Sequence, residues 1–336
     1  MKSQTRWLLA LSLTFCVGLT GCCMGIKQPL ECPRTMVSLE ELVNEYNANA
    51  VPVEHLWARA KIEVDVKGTP IGWGSVSSSA SPNGTLLFAR GANVLGPHDF
   101  VLIGREASQD VFRLGSSTAD DVYYGWYMLG DRGSGGFFGR NELAGAPNQN
   151  DLLIDPHQLL AVLGIVPLPD VGSGDLPAVS LAMQQSRSNG HADPDPCAYV
   201  VTYIDRQPLT KKVLFKRQMY FTWGEGQPRQ LYRVDFFSSD GRHMMTADLG
   251  SYKPVDGLSP TVTMPTDIRL TEVPWPGQEN QIKGIHIVLA DITAAPKGDP
   301  AAAARLFDEA HQLKARVSPD KMTDLDRQVD LPGANQ

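Results

Sequence analysis

Hydrophobic and polar residues alternate most clearly between residues 56 and 66. Every even position from Leu56 to Val66 is apolar, whereas most of the odd positions carry a charge. An alternation of period two predicts a strand with one buried and one solvated face, as in an antiparallel sheet. The turn sequence at 68–70 predicts that residues 71–79 return as the hairpin partner of this strand.

Stretches of similar pattern recur along the chain, and in the first half their spacing is about ten residues. They predict strands at 85–90, 100–105, 110–114, 121–127, 179–184, 198–205, 212–223, 230–238, 243–249, 266–272 and 282–291. Asp240-Gly241 is typical of a tight turn between two of them. The fold class predicted is mainly β with a few short helices, in which about eleven to thirteen antiparallel strands form one strongly curved sheet.

Helical spacing of apolar residues interrupts this pattern in three places. Ser38 and Glu41 match a capping box, and an apolar stripe at helical spacing follows them. A second helix is predicted from Asp155-Pro156 to Leu163, because aspartate suits the N-cap, proline suits the first turn and Gly164 suits the end. A third, alanine-rich helix is predicted from Asp299-Pro300 to Ala315.

Residues 130–150 and 186–196 have the composition of loops. The first contains Phe137 and Phe138 among glycines, and adjacent apolar residues at an exposed tip are candidates for insertion into a membrane or for a lid. The alternative is that the two rings fold back onto the sheet while the glycines provide the turn. Whether either loop binds a partner is left open.

The order of these elements resembles the LolA/LolB-like superfamily of outer-membrane lipoprotein carriers and receptors. The resemblance is carried by SLEELVNEYNANAVPVEHLWARAKIEV (38–64), LLFARGANVLGPHDFVLIGREASQDVFRLGSS (86–117) with YYGW (123–126), and RVDFFSSDGRHMMTADLGSYKPVDG (233–257) leading into MPTDIRLTEV (264–273). It implies a curved antiparallel half-barrel, capped by short helices, over residues 36–315. The insertions at 130–150 and 172–197 depart from the compact carriers.

The resemblance also implies an apolar cavity that accepts acyl chains. The residues predicted to line it lie on the inward faces of the strands: Leu56, Ile62, Val64, Phe100, Leu102, Phe215, Met219 and Phe221. The alternative is that these side chains only pack against one another, as in any β domain.

The first 22 residues have the organisation of an export signal. Lys2 and Arg6 precede an apolar run from Trp7 to Val17, which is too short to span a bilayer. Leu19-Thr20-Gly21-Cys22 then resembles the lipobox of bacterial lipoprotein precursors. This resemblance implies cleavage after Gly21, so that residues 1–21 are removed, and lipidation of Cys22, whose several acyl chains would hold the protein on membrane lipid.

The residue after Cys22 is Cys23 and not aspartate, which by analogy with proteobacterial lipoproteins favours the outer membrane, facing the periplasm. The inner membrane remains the alternative. Removal of the signal leaves 28 basic and 37 acidic residues, a formal charge of about −9. This acidic balance argues against nucleic-acid binding. Residues 22–35 are predicted to be a lipidated tether, and residues 316–336 a disordered tail.

Cys23, Cys32 and Cys197 remain after export and lipidation. An oxidising compartment permits a disulfide, and Cys32 with Cys197 is the first candidate pair, because Cys23 lies in the tether. One cysteine is left over. The sequence has no CxxC pair, so neither a redox site nor a zinc site is indicated.

Motifs of catalysis are missing from the sequence. It contains neither HExxH nor GxSxG, and its seven histidines lie singly. We therefore expect no enzymatic activity, no metal and no cofactor. The leading hypothesis is a membrane-anchored lipoprotein that binds lipid or lipoprotein acyl chains, with a role in lipoprotein localisation. The alternative is an envelope lipoprotein that holds a protein partner and has no ligand cavity.

Overall fold

The structure is a computed structural model of the chain. It describes residues 32, 36–66, 69–73, 84–94, 96–106, 109–128, 134–144, 156–169, 178–185, 197–206, 213–223, 228–238, 241–273, 282–294 and 321–328. The signal, the lipobox with Gly21 and Cys22, the helix predicted at 299–315 and the loop predicted at 186–196 lie outside the described residues.

The described chain is built mainly from strands. Its two α-helices are α1 (Leu39–Ala50) and α2 (Pro156–Leu163), and Asn141–Leu143 and Leu325–Gln328 form short 3-10 helices. The strands are β1 (His55–Val66), β2 (Thr69–Trp73), β3 (Gly84–Ala89), β4 (Asp99–Glu106), β5 (Gln109–Ser117), β6 (Val122–Met128), β7 (Ser134–Arg140), β8 (Ala178–Gln185), β9 (Cys197–Arg206), β10 (Val213–Thr222), β11 (Leu231–Phe237), β12 (His243–Gly250), β13 (Lys253–Pro254), β14 (Thr263–Met264), β15 (Asp267–Glu272), β16 (Ile282–Thr293) and β17 (Met322–Asp324).

Fifteen strands form one sheet. Its order is β17-β7-β6-β5-β4-β3-β1-β16-β15-β12-β11-β10-β9-β8, with β2 also paired to β1, while β13 and β14 form a separate pair. All described neighbours are antiparallel except β17 and β7. The sheet is large, curved and open, and it confirms the predicted fold class.

The long strand β1 lies near the middle of the sheet. Its first half pairs with β3 and its second half with β2, while β16 runs along its other side with Ile62 opposite Ile287. The return strand predicted at 71–79 is therefore confirmed for residues 71–73, and it begins two residues earlier, at Thr69; residues 74–79 lie outside the described part. The pairing of β1 with β16 therefore brings the first strand of the sheet beside one of the last, near the middle of the sheet.

Helix α1 begins as the sequence predicts. Ser38 is its N-cap, and the Glu41 backbone N–H donates to Ser38 Oγ at 3.0 Å. The predicted apolar stripe consists of Leu39, Leu42, Val43 and Tyr46. The last three are buried together with Ala50, whereas Leu39 is only partly buried, so the stripe faces the sheet. The buried stripe anchors α1 on one face of the sheet, which we call the inner face.

Helix α2 lies on the same inner face, and Gly164 at φ 70° ends it as predicted. Asn47 of α1 holds the segment after α2, since its amide nitrogen donates to the Leu168 carbonyl and its oxygen accepts from the Leu168 N–H, both at 2.8 Å. Arg90 Nη2 also donates to the carbonyls of Ala50 and Val53, at 2.8 and 2.7 Å. The helices are thus joined to each other and to the loop after β3.

The loop predicted at 130–150 is wrong for residues 134–144, because Ser134–Arg140 form strand β7. The glycines accommodate aromatic rings. A Cβ on Gly139 would lie 2.7 Å from Oη of Tyr123, and one on Gly125 would lie 2.5 Å from the Phe137 ring. Glycine opposite an aromatic residue is a known way to build such strands. Residues 130–133 and 145–150 lie outside the described part.

The disordered tail predicted at 316–336 is wrong for residues 321–328. Strand β17 pairs in parallel with the edge strand β7, and Leu325 is buried. Arg140 Nε donates a hydrogen bond to Oδ2 of Asp326 at 3.1 Å. The segment is ordered because it satisfies the backbone groups of a sheet edge, which its own composition does not reveal.

Candidate functional site

Most of the predicted lining residues lie in a packed core on the inner face. Six of them are at most 2% exposed: Leu56, Ile62, Phe100, Leu102, Met219 and Phe221. They share one hydrophobic cluster with residues of α1 and α2. Val64 and Phe215 lie on β1 and β10, and their side chains are outside the described part.

The packing of the helices explains this burial. The ring of Tyr46 on α1 meets the edge of Phe221 on β10, with centroids 5.9 Å apart. Tyr46 also donates from its hydroxyl to the Val166 carbonyl at 3.1 Å. Burial raises the pKa of Tyr46. This part of the inner face is therefore filled by the protein's own side chains.

Other inner-face positions are only partly buried. On one side of the sheet they are Phe112 and Phe137, which pack against the core, together with Tyr127, which is 40% exposed. At the opposite edge, Val179, Leu181 and Met183 alternate along β8 and also pack against the core. We call these three residues the β8 strip. Both places offer apolar surface that an additional apolar group could cover.

Phe137 and Phe138 point to opposite faces of the sheet, because neighbouring residues on a strand do so. Phe137 packs against the inner core and tilts toward Tyr123, with centroids 6.5 Å apart. Phe138 packs on the outer face with a cluster around Tyr124 and Trp126. The interpretation of the pair as the tip of a lid or membrane loop is therefore corrected, since a strand cannot direct both rings to one side.

The inner face also holds a cation that the sequence analysis missed. Arg217 of β10 is directly opposite Tyr203 of β9 and Phe236 of β11, and both of those residues belong to the inner core. Its guanidinium carbon lies 5.0 Å from the centre of the Tyr203 ring. The signal was present, because the alternation that places Met219 and Phe221 inward also places Arg217 inward.

Electrostatics agree with this placement. Burial raises the pKa of Tyr203 to about 12, and the positive charge of Arg217 acts in the opposite direction. Arg217 has the same opposing influence on the buried Tyr46. The guanidinium therefore faces the region between the sheet and α1.

Two buried titratable residues elsewhere, His98 and Asp235, make hydrogen bonds within the fold. His98 is 1% exposed, accepts at Nδ1 from the Gly91 N–H at 3.1 Å, and has its pKa lowered to about 4 mainly by burial. On β11, burial disfavours ionisation of Asp235, but hydrogen bonds from His243 and Arg233 outweigh it and lower its pKa to about 2. These groups stabilise loops and strand pairs.

A disulfide joins Cys32 to Cys197, with Cα atoms 5.7 Å apart. This is the pair that the sequence analysis put first. Cys197 is fully buried and begins β9, opposite Gln185 at the end of β8. The predicted tether is therefore bound to the sheet beside the edge that carries the β8 strip.

The described ranges contain neither a candidate metal site nor a helix that could span a membrane. No group of three or more His, Cys, Asp or Glu side chains there could hold a metal ion. None of the described helices is long and apolar enough to cross a membrane.

No protein-family model and no curated protein sequence matches the chain. The chain is similar to the solved structure of a DUF1329 family protein from Desulfovibrio piger, with 11% identity and a TM-score of 0.49 over 79% of this chain and 95% of that one. It is also similar to a LolA superfamily protein from Nitrosomonas europaea, with 12% identity and a TM-score of 0.41 over 80% and 97%. A third structure, described as a putative outer membrane lipoprotein-sorting protein domain from Vibrio parahaemolyticus, has 9% identity and a TM-score of 0.46 over 80% and 97%.

Proposed function

We propose that this protein is a membrane-anchored lipoprotein that binds acyl chains of lipids or of other lipoproteins on the inner face of its sheet. The observation that carries the proposal is the apolar inner face with partly exposed positions at both of its sides. Each methylene buried there would contribute about 0.8 kcal/mol. Binding of this kind is reversible and needs no catalysed reaction, metal or cofactor.

The anchor in this proposal is the acylated Cys22. About ten residues separate it from the disulfide at Cys32, so the start of β9 would lie within roughly 35 Å of the membrane surface. The edge of the sheet that bears the β8 strip would then be the part held nearest to the lipid. Following the Cys23 analogy, we place the protein in the cell envelope, on the outer membrane and facing the periplasm.

The proposal is tested by what the protein retains when it is purified. We expect native mass spectrometry of the full chain, extracted from membranes in mild detergent, to show a bound lipid in addition to the anchor. Leu181→Asn should reduce the retained lipid, because Leu181 belongs to the β8 strip. Ser180→Asn is the matched control, since Ser180 is exposed and points to the other face of the same strand. A folded protein that is consistently empty contradicts the proposal.

A second candidate function has one observation in its favour. Six of the eight predicted lining residues are buried against α1 and α2, as expected of a domain that fills its own interior. Such a domain would be an envelope lipoprotein that holds a protein partner. Crosslinking in intact envelopes separates the two functions, because a single stoichiometric protein partner together with an empty inner face supports this second one.

A further inference from the structure

From the position of Arg217, we infer that the ligand of the inner face is an amphiphile with an anionic head, either a carboxylate or a phosphate. This inference rests on the proposed function and names the class of ligand for the same face. Arg217 would bind the head, and the apolar chain would lie along the β8 strip.

The side chain of Arg217 points to the inner face of the sheet. Directly opposed residues of antiparallel strands project from the same face. Arg217 is opposed by Tyr203 on one side and by Phe236 on the other, and these are 4% and 3% exposed in the inner core. An arginine is therefore placed on a face that is otherwise lined by apolar and aromatic side chains.

The positive charge of Arg217 has no acidic partner among the residues that the structure describes. Its guanidinium lies over the face of the Tyr203 ring. Glu272 lies in the same cross-strand row, through Phe236 and Met245. It is three strands away, which is about 14 Å at the usual strand spacing, too far for a direct ion pair. A positive charge in such surroundings favours an anionic partner.

The guanidinium of Arg217 has the geometry of an anion-binding group. A planar guanidinium presents paired N–H donors that match the oxygens of a carboxylate or phosphate, and stacking on an aromatic ring limits its motion. Arg217 is only partly buried, unlike the rings around it, so that part of its surface is open to a ligand. Tyr203 acts as the positioning residue that holds the fork in place.

The β8 strip lies close enough to Arg217 to hold the apolar chain of the same ligand. Val179 is opposed to Tyr203, so the β8 strip starts two strands away from Arg217 in the same row. Two strand spacings are about 10 Å, a gap that the long arginine side chain partly bridges. The strip then continues to Met183 over about 13 Å of strand. Head site and chain site are therefore adjacent.

The experiment compares three probes that share one palmitoyl chain: palmitate, palmitoyl-lysophosphatidylglycerol and monopalmitoylglycerol. Their heads are a carboxylate, a phosphate and a neutral glycerol. The protein is the chain from residue 23 onward, exported behind an ordinary secretory signal, which contains every described residue and no anchor lipid. Affinity is measured by displacement of an uncharged fluorescent dye.

We expect the wild-type chain to bind at least one anionic probe about 10- to 100-fold more tightly than the neutral probe, as expected of charge-assisted hydrogen bonds. Which anionic probe binds more tightly identifies the head as carboxylate or phosphate. Arg217→Gln should remove the preference and leave the affinity for monopalmitoylglycerol unchanged. Arg269→Gln is the matched control, because it removes the same charge from an exposed position on the outer face and should keep the preference.

Two further measurements keep the inference testable if Arg217→Gln does not fold. Arg217→Lys should retain the preference in part, and added salt should weaken wild-type binding of the anionic probes alone. Equal wild-type affinity for charged and neutral probes, or a preference that survives in Arg217→Gln, overturns the inference while the proposed function stands. Failure of all three probes to bind overturns the proposed function itself.

Discussion

The disulfide between Cys32 and Cys197 allows the most quantitative prediction, which is tested by the substitution Cys32→Ser. The bond closes a loop of 165 residues. In the chain-entropy model, opening a loop of that length lowers the free energy of unfolding by about 5 kcal/mol. For a domain the size of residues 36–315, that corresponds to a fall in Tm of roughly 8–10 °C. Cys32 is the better position to change, because Cys197 is fully buried and its replacement would also alter the core.

The assay is thermal unfolding followed by circular dichroism, with and without reductant. We expect Cys32→Ser to unfold at the Tm of the reduced wild-type chain and to be insensitive to reductant. Cys23→Ser is the control, since it removes a cysteine outside this pair and should keep the wild-type Tm. A Cys32→Ser variant with a Tm within about 2 °C of oxidised wild type would refute the reasoning. It would show that closure of the loop between Cys32 and Cys197 contributes little to the stability of the fold.

Three further predictions concern stability and association. Gly139→Ala should lower the free energy of unfolding in urea by about 1–3 kcal/mol, because the new Cβ would lie 2.7 Å from Oη of Tyr123. Gly250→Ala is the control, since a Cβ there meets open space, and its free energy of unfolding should stay within about 0.5 kcal/mol of wild type. Equal effects of the two substitutions would contradict the packing argument. The pKa of Asp235 is lowered to about 2, so its ionised form contributes stability above the unfolded pKa of about 3.9, and this is lost as the pH falls from there through about 2. Wild type should therefore lose roughly 2 kcal/mol more than Asp235→Asn between pH 5 and pH 2, and parallel curves would exclude this role. Removal of residues 321–336 should expose the edge of β7 and cause self-association in sedimentation experiments. Removal of the last eight residues alone is the control and should leave the chain monomeric. If the chain without residues 321–336 also stays monomeric, protection of the edge by β17 is ruled out.

Much of the fold was predictable because its signals are local. The alternation from Leu56 to Val66 and the cap at Ser38 each depend on a few neighbouring residues, and the structure confirms both. The strand β7 was missed because its glycines indicate a turn when read alone. Their meaning depends on Tyr123, Tyr127 and Phe137, which are brought opposite to glycines only by pairing of the strands.

The residues of the candidate site show the same division between properties set by local sequence and properties set by distant contacts. Alternation assigns Leu56, Ile62 and Phe221 to the inner face, but whether such residues line a cavity or a packed core depends on where α1 and α2 lie. Arg217 could have been placed inward by the same alternation. That no described acidic side chain pairs with it could not be predicted, because this depends on which residues of β9 and β11 become its neighbours and on the distance of Glu272 on β15.

The sequence by itself therefore determined the antiparallel class of the sheet, most of its strands, the N-cap of α1, the end of α2 and the first choice of cysteine pair. Those properties follow from periodicity, from turn chemistry and from where the cysteines lie along the chain. Only the tertiary structure decided that the inner face is largely filled, that Phe137 and Phe138 separate to opposite faces, and that residues 321–328 cover an edge. These depend on contacts between residues far apart in the chain, for which a single sequence carries no local signal.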